Sequence, residues 1–317
     1  MPRILVTGAL GQIGSELSQK LAEKYGKDAV LTSDVRDGNA ATAGTDYIRL
    51  DVTKEEALSE IVKNYGVDRI FHLAAILSAT AETMPEKAYI VNSIGTFNVL
   101  KVSRENSVKR VMIPSSIAVY GPSSGRKTTP IVTPTRPESI YGITKVDNEM
   151  LAYYYRKKFG LDVRGIRFPG LLSHKTAPTA GTTDYAVDMI RSASEGLNYT
   201  CPLSPGRSLP MMYMPDALNS MLKLFEAPLE KLKYCTEYNI SAFSFTPEEL
   251  YSLLKEKFDD FRVTYRPDFR DQIAATWPES LDTSDAARDW GFKADYTLIQ
   301  MIEDMVENFQ KAEKQKV

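Results

Sequence analysis

Through the first half of the chain, short continuous apolar runs alternate with longer stretches in which apolar residues return every three or four positions. A short run of β-branched and aliphatic residues fits a strand buried on both faces, and the wider spacing fits a helix with one buried stripe. The pattern predicts strands at 3–7, 29–34, 46–51, 69–75, 110–116 and 163–168. Between the first two it predicts a helix over 13–25, with Leu17 and Leu21 on one face. Strands and helices in strict turn pair in parallel through right-handed crossovers, so the expected fold class is α/β, a doubly wound parallel sheet.

After Phe168 the pattern changes. The segment 172–184 is rich in Thr, Ala, Pro and Gly and is broken by Pro178 and Gly181, the composition of a loop. A strand at 198–203, a helix from Pro215, a strand at 238–241 and a helix over 247–258 follow. The expected organisation is a sheet domain over 1–168 and a smaller mixed C-terminal substrate lobe over 169–317, some of whose segments return to the sheet.

Composition narrows the class. The 317 residues are 43% hydrophobic and 25% charged, a folded profile, and the formal net charge of -2 gives no electrostatic reason to expect nucleic acid or an anionic membrane. No run approaches the ~18 apolar residues of a membrane span, and no charged-then-apolar leader opens the chain. Cys201 and Cys235 are the only cysteines, and His72 and His174 the only histidines. Neither a disulfide framework nor a Cys/His zinc site is expected. The partner to look for in this cytoplasmic, metal-free reading is a small molecule.

The first turn supplies a candidate. Thr7-Gly8-Ala9-Leu10-Gly11-Gln12-Ile13-Gly14 follows a strand and opens a helix, so its glycines allow a tight turn in which backbone N–H groups approach a pyrophosphate. Asp34 ends the second strand, where a carboxylate accepts ribose hydroxyls and repels a 2′-phosphate, which favours NAD over NADP although Arg36 stands nearby. This is the Rossmann arrangement. Asp51 and Val52 end the third strand at the adenine edge, and Leu73, Ala74 and Ala75 give small residues after the fourth. His72 reads as a packed, hydrogen-bonded histidine.

Tyr141 and Lys145 lie four apart on a helix, so an ammonium sits near a phenol and favours its phenolate, lowering its pKa toward neutrality and making it a usable base. Tyr153 with Lys157, Tyr154 with Lys158, and Tyr251 with Lys255 share the spacing and read as ordinary surface pairs. Tyr141 differs in its company, because Ser115-Ser116 ends a strand at the edge where open α/β sheets bind ligands.

With TGxxGxxG at the start, Asp34, HxAA at 72–75, SSxxVYG at 115–121, YxxxK at 141–145 and Arg167-Phe168-Pro169-Gly170, the chain resembles the extended short-chain dehydrogenase/reductase family over nearly its whole length. The resemblance implies Tyr141 as the catalytic acid/base, Lys145 as the residue that binds the nicotinamide ribose and tunes Tyr141, and Ser116 as the one that orients the substrate oxygen. Ser115 suits that role less, because the family's serine stands four residues before the Tyr of VYG. Phe168 joins the residues expected around the cofactor.

Within the family the segment Ala180-Gly181-Thr182-Thr183-Asp184-Tyr185-Ala186 is most similar to the branch that oxidises L-threonine. That likeness implies Gly181, Thr182 and Thr183 as substrate contacts, with Ser78 and Trp277 as further ones, and a homodimer formed through helices near 89–106 and 141–158. By the residues alone, Thr182-Thr183-Asp184 reads first as a plain helix cap and Met211, Met212 and Met214 as core filling, while Trp277 suits lobe packing as well as substrate contact. The rival within the family is a nucleotide-sugar 4-epimerase or dehydratase, for which Arg207, Arg262 and Arg266 are candidate cations. A non-catalytic NAD sensor would lack the Tyr or the Lys.

Overall fold

The computed structural model describes residues 2–38, 44–176 and 181–314. Strands β1 (Ile4–Thr7), β2 (Val30–Asp34), β3 (Asp46–Arg49) and β4 (Arg69–His72) stand where the apolar runs predict them. The last two predicted strands each divide. The first becomes β5 (Arg110–Met112) and β6 (Ser115–Ser116), the second β7 (Asp162–Arg164) and β8 (Ile166–Phe168). The main sheet has six parallel strands in the order β3-β2-β1-β4-β5-β7, while β6 pairs with β8 in a separate sheet.

Two local features cause the division. Pro114 brings no N–H to the ladder. At Gly165 a Cβ would stand 2.3 Å from the Ile113 carbonyl oxygen, so the two chains cross at a distance only glycine permits.

The sheet-covering helices include α1 (Gln12–Tyr25), α2 (Glu55–Asn64), and the run α3 (Ser78–Thr83), α4 (Pro85–Tyr89) and α5 (Gly95–Glu105), in which a π-turn at Ile90–Ile94 joins the last two. α6 (Ile140–Phe159) is started by the Ser139 hydroxyl, which accepts from the Gly142 N–H at 3.1 Å, and ends at Gly160 in the left-handed region. Arg156, Lys157 and Lys158 in its last turn complement the helix dipole.

In the second part, β9 (Gly170–Leu172) pairs in parallel with β11 (Leu209–Tyr213), which follows α7 (Tyr185–Ser194) and β10 (Tyr199–Cys201). α8 (Met214–Glu226) comes next, then β12 (Tyr238–Asn239), which adds to β8, and β13 (Phe243–Phe245), which pairs with β11. The chain finishes with α9 (Pro247–Lys257), β14 (Val263–Tyr265), α10 (Phe269–Ala275), α11 (Ser284–Trp290) and α12 (Leu298–Lys314). Met211, Met212 and Met214 are wholly buried in these cores.

One apolar cluster joins Ile4, Val6, Leu17 and Leu21 to Ala217, Met221 and Phe225, so the late helix α8 covers a face of the early sheet. Its far end is fastened there by Arg164, a fully buried guanidinium at the sheet edge. Arg164 donates Nε and Nη2 to Asp162 at 2.8 and 2.9 Å, and Nη1 to the carbonyl oxygens of Leu224, Phe225 and Ala227 at 2.7, 3.0 and 2.5 Å. Among the described residues, no helix is long and apolar enough to cross a membrane.

Candidate active site

The β1–α1 turn is pressed against the end of β4. Gly8 has φ +69°, and a Cβ there would stand 2.6 Å from the Ala74 nitrogen; one on Gly14 would stand 2.2 Å from the Gly8 carbonyl oxygen. Gly11 begins α1 without a side-chain cap, so the first N–H groups of the helix are left facing outward for an anion. This glycine cradle fits a dinucleotide pyrophosphate. Asp34 is buried at the end of β2 and accepts from the Leu10 N–H at 3.1 Å and from Arg36 Nε and Nη2 at 3.0 and 3.1 Å. Burial alone would raise its carboxyl; the hydrogen bonds from Arg36 and Leu10 outweigh that and hold it below the usual carboxylate range.

A cleft of about 1170 Å³, including solvent at its mouth, runs from this turn across the ends of β4 and β5. It brings together Gly8, Gly11, Gln12, Ile13 and Gly14; Leu73, Ala74, Ala75 and Ser78; Ser116, Tyr141, Lys145 and Phe168; and Gly181, Thr182, Thr183 and Trp277. Three expected residues stand apart from its lining. Asp34 is beyond the turn, Asp51 caps its own turn by accepting from the Thr53 N–H and hydroxyl at 3.0 and 2.8 Å, and Val52 is buried against Gly95.

At the other end of the cleft, Lys145 is buried with its Nζ 5.5 Å from the centre of the Tyr141 ring, donating to the Pro114 carbonyl oxygen at 2.8 Å. Burial pulls the Lys145 ammonium down to about 8, against the opposing charge of Glu149. Tyr141 departs from expectation. Burial pushes its phenol up to about 12, opposed by its hydrogen bond with Ser116. The ammonium is turned to Pro114 rather than to the phenol oxygen, so desolvation decides the sign in the protein alone.

The two serines differ in their partners. Both line the cleft, but the Ser115 hydroxyl donates to Glu149 Oε1 at 2.5 Å, whereas Ser116 is the partner of Tyr141 and accepts from the Ala118 N–H at 3.2 Å. His72 is buried between the Thr7 hydroxyl at 2.8 Å and the Thr96 hydroxyl at 3.1 Å, and burial with the Lys145 charge lowers it to about 3. It is a neutral, packed histidine.

Asp184 closes the turn before α7 by accepting from the Gly181 N–H at 2.7 Å. Thr182 lies 3.3 Å, hydroxyl to hydroxyl, from Ser78, and Thr183 packs over Gly170, where a Cβ would stand 2.7 Å from its Cγ2. Pro178 and Ala180 of the expected loop lie outside the described residues. Trp277 is buried, with an indole N–H that finds no partner among the described residues.

Sequence patterning missed Asn92 and Asn148. Asn92, inside the π-turn, accepts from the Ile76 N–H at 2.8 Å and donates to the Ile76 carbonyl at 3.0 Å and the Thr144 hydroxyl at 3.1 Å, tying the loop after β4 to α6. Asn148 lines the cleft with a buried Oδ1 that finds no partner among the described residues. Buried amides on a helix leave no periodic signal.

Residues 4–240 match the family model described as the NAD dependent epimerase/dehydratase family. An uncharacterized epimerase/dehydratase of Staphylococcus haemolyticus is 41% identical over the full length of both chains. Among solved structures, the L-threonine dehydrogenase of Clostridium difficile is 45% identical, with 98% of each chain covered and a TM-score of 0.95. A monomeric L-threonine 3-dehydrogenase from a metagenome is 43% identical, covering 98% of this chain and 99% of its own at a TM-score of 0.94. A UDP-glucose 4-epimerase of Thermotoga maritima, 23% identical at a TM-score of 0.87, shares the fold.

Proposed function

This chain belongs to the NAD dependent epimerase/dehydratase family, and from that premise we propose that it oxidises the C3 hydroxyl of L-threonine to 2-amino-3-ketobutyrate, with Tyr141 as the general base. Family and structural neighbours make it an NAD-dependent oxidoreductase. The observation that carries the choice of substrate is the charge of the cleft. Among its described lining residues Lys145 is the one lysine or arginine. A nucleoside diphosphate sugar needs cations around its phosphates. The candidate arginines are committed elsewhere: Arg207 to Asp271 at 3.0 and 3.1 Å, and Arg262 to the carbonyls of Asp259 and Phe261 at 2.7 and 2.9 Å. Arg266 does not line the cleft either.

A small zwitterion suits what is there. Hydroxyls of Ser78, Thr182 and Thr183 and the Trp277 N–H are donors for a carboxylate, and Asp184 stands beside them for an ammonium. Ser116 holds the substrate oxygen while Tyr141 takes its proton, and Lys145 contributes the positive charge that favours the phenolate. The NAD held by the glycine turn and Asp34 supplies the hydride acceptor. The cofactor falls to the unit over 1–168, and the substrate lobe over 169–317 adds Thr182, Thr183 and Trp277 to the contacts that Ser78, Ser116 and Tyr141 make from the first unit.

A homodimer fits the exposed apolar side chains on two neighbouring elements. Tyr89, Ile90, Ile94 and Phe97 lie along the α4–α5 run, and Ile143, Met150, Tyr153 and Tyr154 along α6, which packs beside it.

The deciding experiment compares initial-rate NADH formation from NAD and L-threonine with turnover of UDP-galactose. Threonine-dependent NADH is expected. Conversion of the sugar nucleotide with no threonine-dependent NADH would overturn the reading.

A further inference from the structure

A buried ion pair lies one helical turn beyond Lys145, and the chemistry proposed above does not use it. Glu149 is 1% exposed and Arg167 3%. Arg167 grips the carboxylate with two parallel bonds, Nε to Oε1 at 2.8 Å and Nη2 to Oε2 at 2.7 Å. Its remaining Nη1 donates to the Tyr120 hydroxyl and the Ile131 carbonyl, both at 2.9 Å. Glu149 Oε1 also accepts from the Ser115 hydroxyl at 2.5 Å.

Ser115 and Arg167 are register partners in the β6–β8 pair, so one carboxylate on α6 fastens both strands of that small sheet at the same level. Ser115 and the next residues along these strands, Ser116 and Phe168, all line the cleft. A buried ion pair is seldom more stabilising than apolar residues of the same volume, so stability alone does not account for this one.

The same carboxylate is four residues from Lys145 on α6, the spacing that brings side chains together. The titratable groups facing Lys145 are Tyr141 on its own helix, His72 from β4, which is neutral, and Glu149. Those facing Glu149 are Lys145, Arg167 from β8, Tyr120, whose phenol shares the Arg167 guanidinium and is raised in part by the Glu149 charge, and Glu237 just before β12, whose own carboxyl is pushed up by burial and by Glu149. Glu149 is the one of these that favours the charged form of Lys145.

We propose that Glu149 is a positioning residue, which through Ser115 and Arg167 fixes the strand presenting Ser116 and with its charge holds Lys145 as an ammonium beside Tyr141. The inference rests on the reading of Tyr141 and Lys145 as the acid/base pair, and it separates into a strand arm and a charge arm.

The charge arm is read on the cofactor-free full chain by 13Cε-lysine NMR, the Lys145 signal being identified by its loss in Lys145→Arg. Glu149→Gln leaves a buried guanidinium unpaired, so the working variant is Glu149→Gln combined with Arg167→Met, with Glu149→Asp as the charge-preserving control. In the double variant Lys145 is expected to lose its proton about one pH unit earlier, roughly a tenfold change in the ratio of ammonium to free amine at a given pH. Glu149→Asp is expected to keep the wild-type titration, and the alkaline limb of the pH–rate profile to move with the NMR titration. A folded double variant whose Lys145 titrates as in wild type overturns the charge arm.

The strand arm is read with Ser115→Ala, which keeps every charge: turnover is expected to fall several-fold with the Lys145 titration unchanged, and unaltered turnover overturns it. Full activity of Tyr141→Phe would sink the acid/base reading beneath, while the NMR titration would still decide the role of Glu149.

Discussion

Tyr141 carries the sharpest consequence at the scale of single residues. Its phenol, raised by burial to about 12, gives up a proton only where the site favours the phenolate, and the proposed reaction passes the substrate proton to it. Tyr141→Phe is expected to lower kcat by roughly 10²–10⁴-fold, the usual worth of a positioned acid/base. Its Kd for NAD, followed by nicotinamide-free ADP-ribose competition or calorimetry, should stay close to wild type. Lys145 gives a prediction of the opposite kind, in stability. Its folded value of about 8 lies below the ~10.4 of a free lysine, so the unfolded chain binds the extra proton between these values and wild-type stability rises with pH across that window. The penalty is complete below the folded value. Lys145→Met should therefore be more stable than wild type near pH 7, by roughly 1–3 kcal/mol in urea melts, with the advantage shrinking from pH 8 upward. Residue types and spacing made Ser116, Tyr141, Lys145 and the glycines legible, because each motif is a short local pattern. They did not reveal the upward shift of Tyr141, since burial depends on what the rest of the chain packs around the hydroxyl.

At the scale of elements, the glycine turn and the divided strands show where local pattern suffices and where it fails. The turn follows from a strand, three glycines and a helix in one stretch, and its geometry makes Gly14 the tightest point. Gly14→Ala should weaken NAD binding at least tenfold by titration calorimetry, since the new methyl would meet the Gly8 carbonyl and open the turn that faces the pyrophosphate. Restored affinity in that variant would contradict the cradle. The division of 110–116 and 163–168 was invisible for a different reason. Pro114 and Gly165 are plain in the sequence, yet which strand each half joins depends on a crossing between two segments some fifty residues apart. The π-turn that carries Asn92 was likewise hidden, because apolar spacing does not distinguish one extra residue in a helical turn.

At the scale of the whole molecule, the α4–α5 run and α6 present their exposed aromatic and aliphatic side chains side by side, which is the surface a second copy would cover. Wild type is expected to sediment as a dimer, and a variant combining Phe97→Glu with Tyr154→Glu as a monomer. A wild-type protein that sediments as a monomer, as the metagenomic dehydrogenase is described, would remove the proposed interface. The overall class was legible from the alternation of strand and helix, because that alternation has few ways to pack. That late segments return to the sheet was expected, but that α8 is the one shared between early and late halves was not legible, since no short-range pattern says which sheet face a late helix will cover.

That sharing sets an order of events for a chain emerging from the ribosome. The sixth strand of the sheet is complete at Arg164, but the carbonyls that satisfy its guanidinium belong to residues 224, 225 and 227. A chain that ends in the sixty or so residues between them would hold Arg164 beside Asp162 with no carbonyl for its third nitrogen. A chain cut after residue 223 is therefore expected to be digested by protease more readily at that edge than the full chain, and equal resistance of the two would contradict the closure by α8.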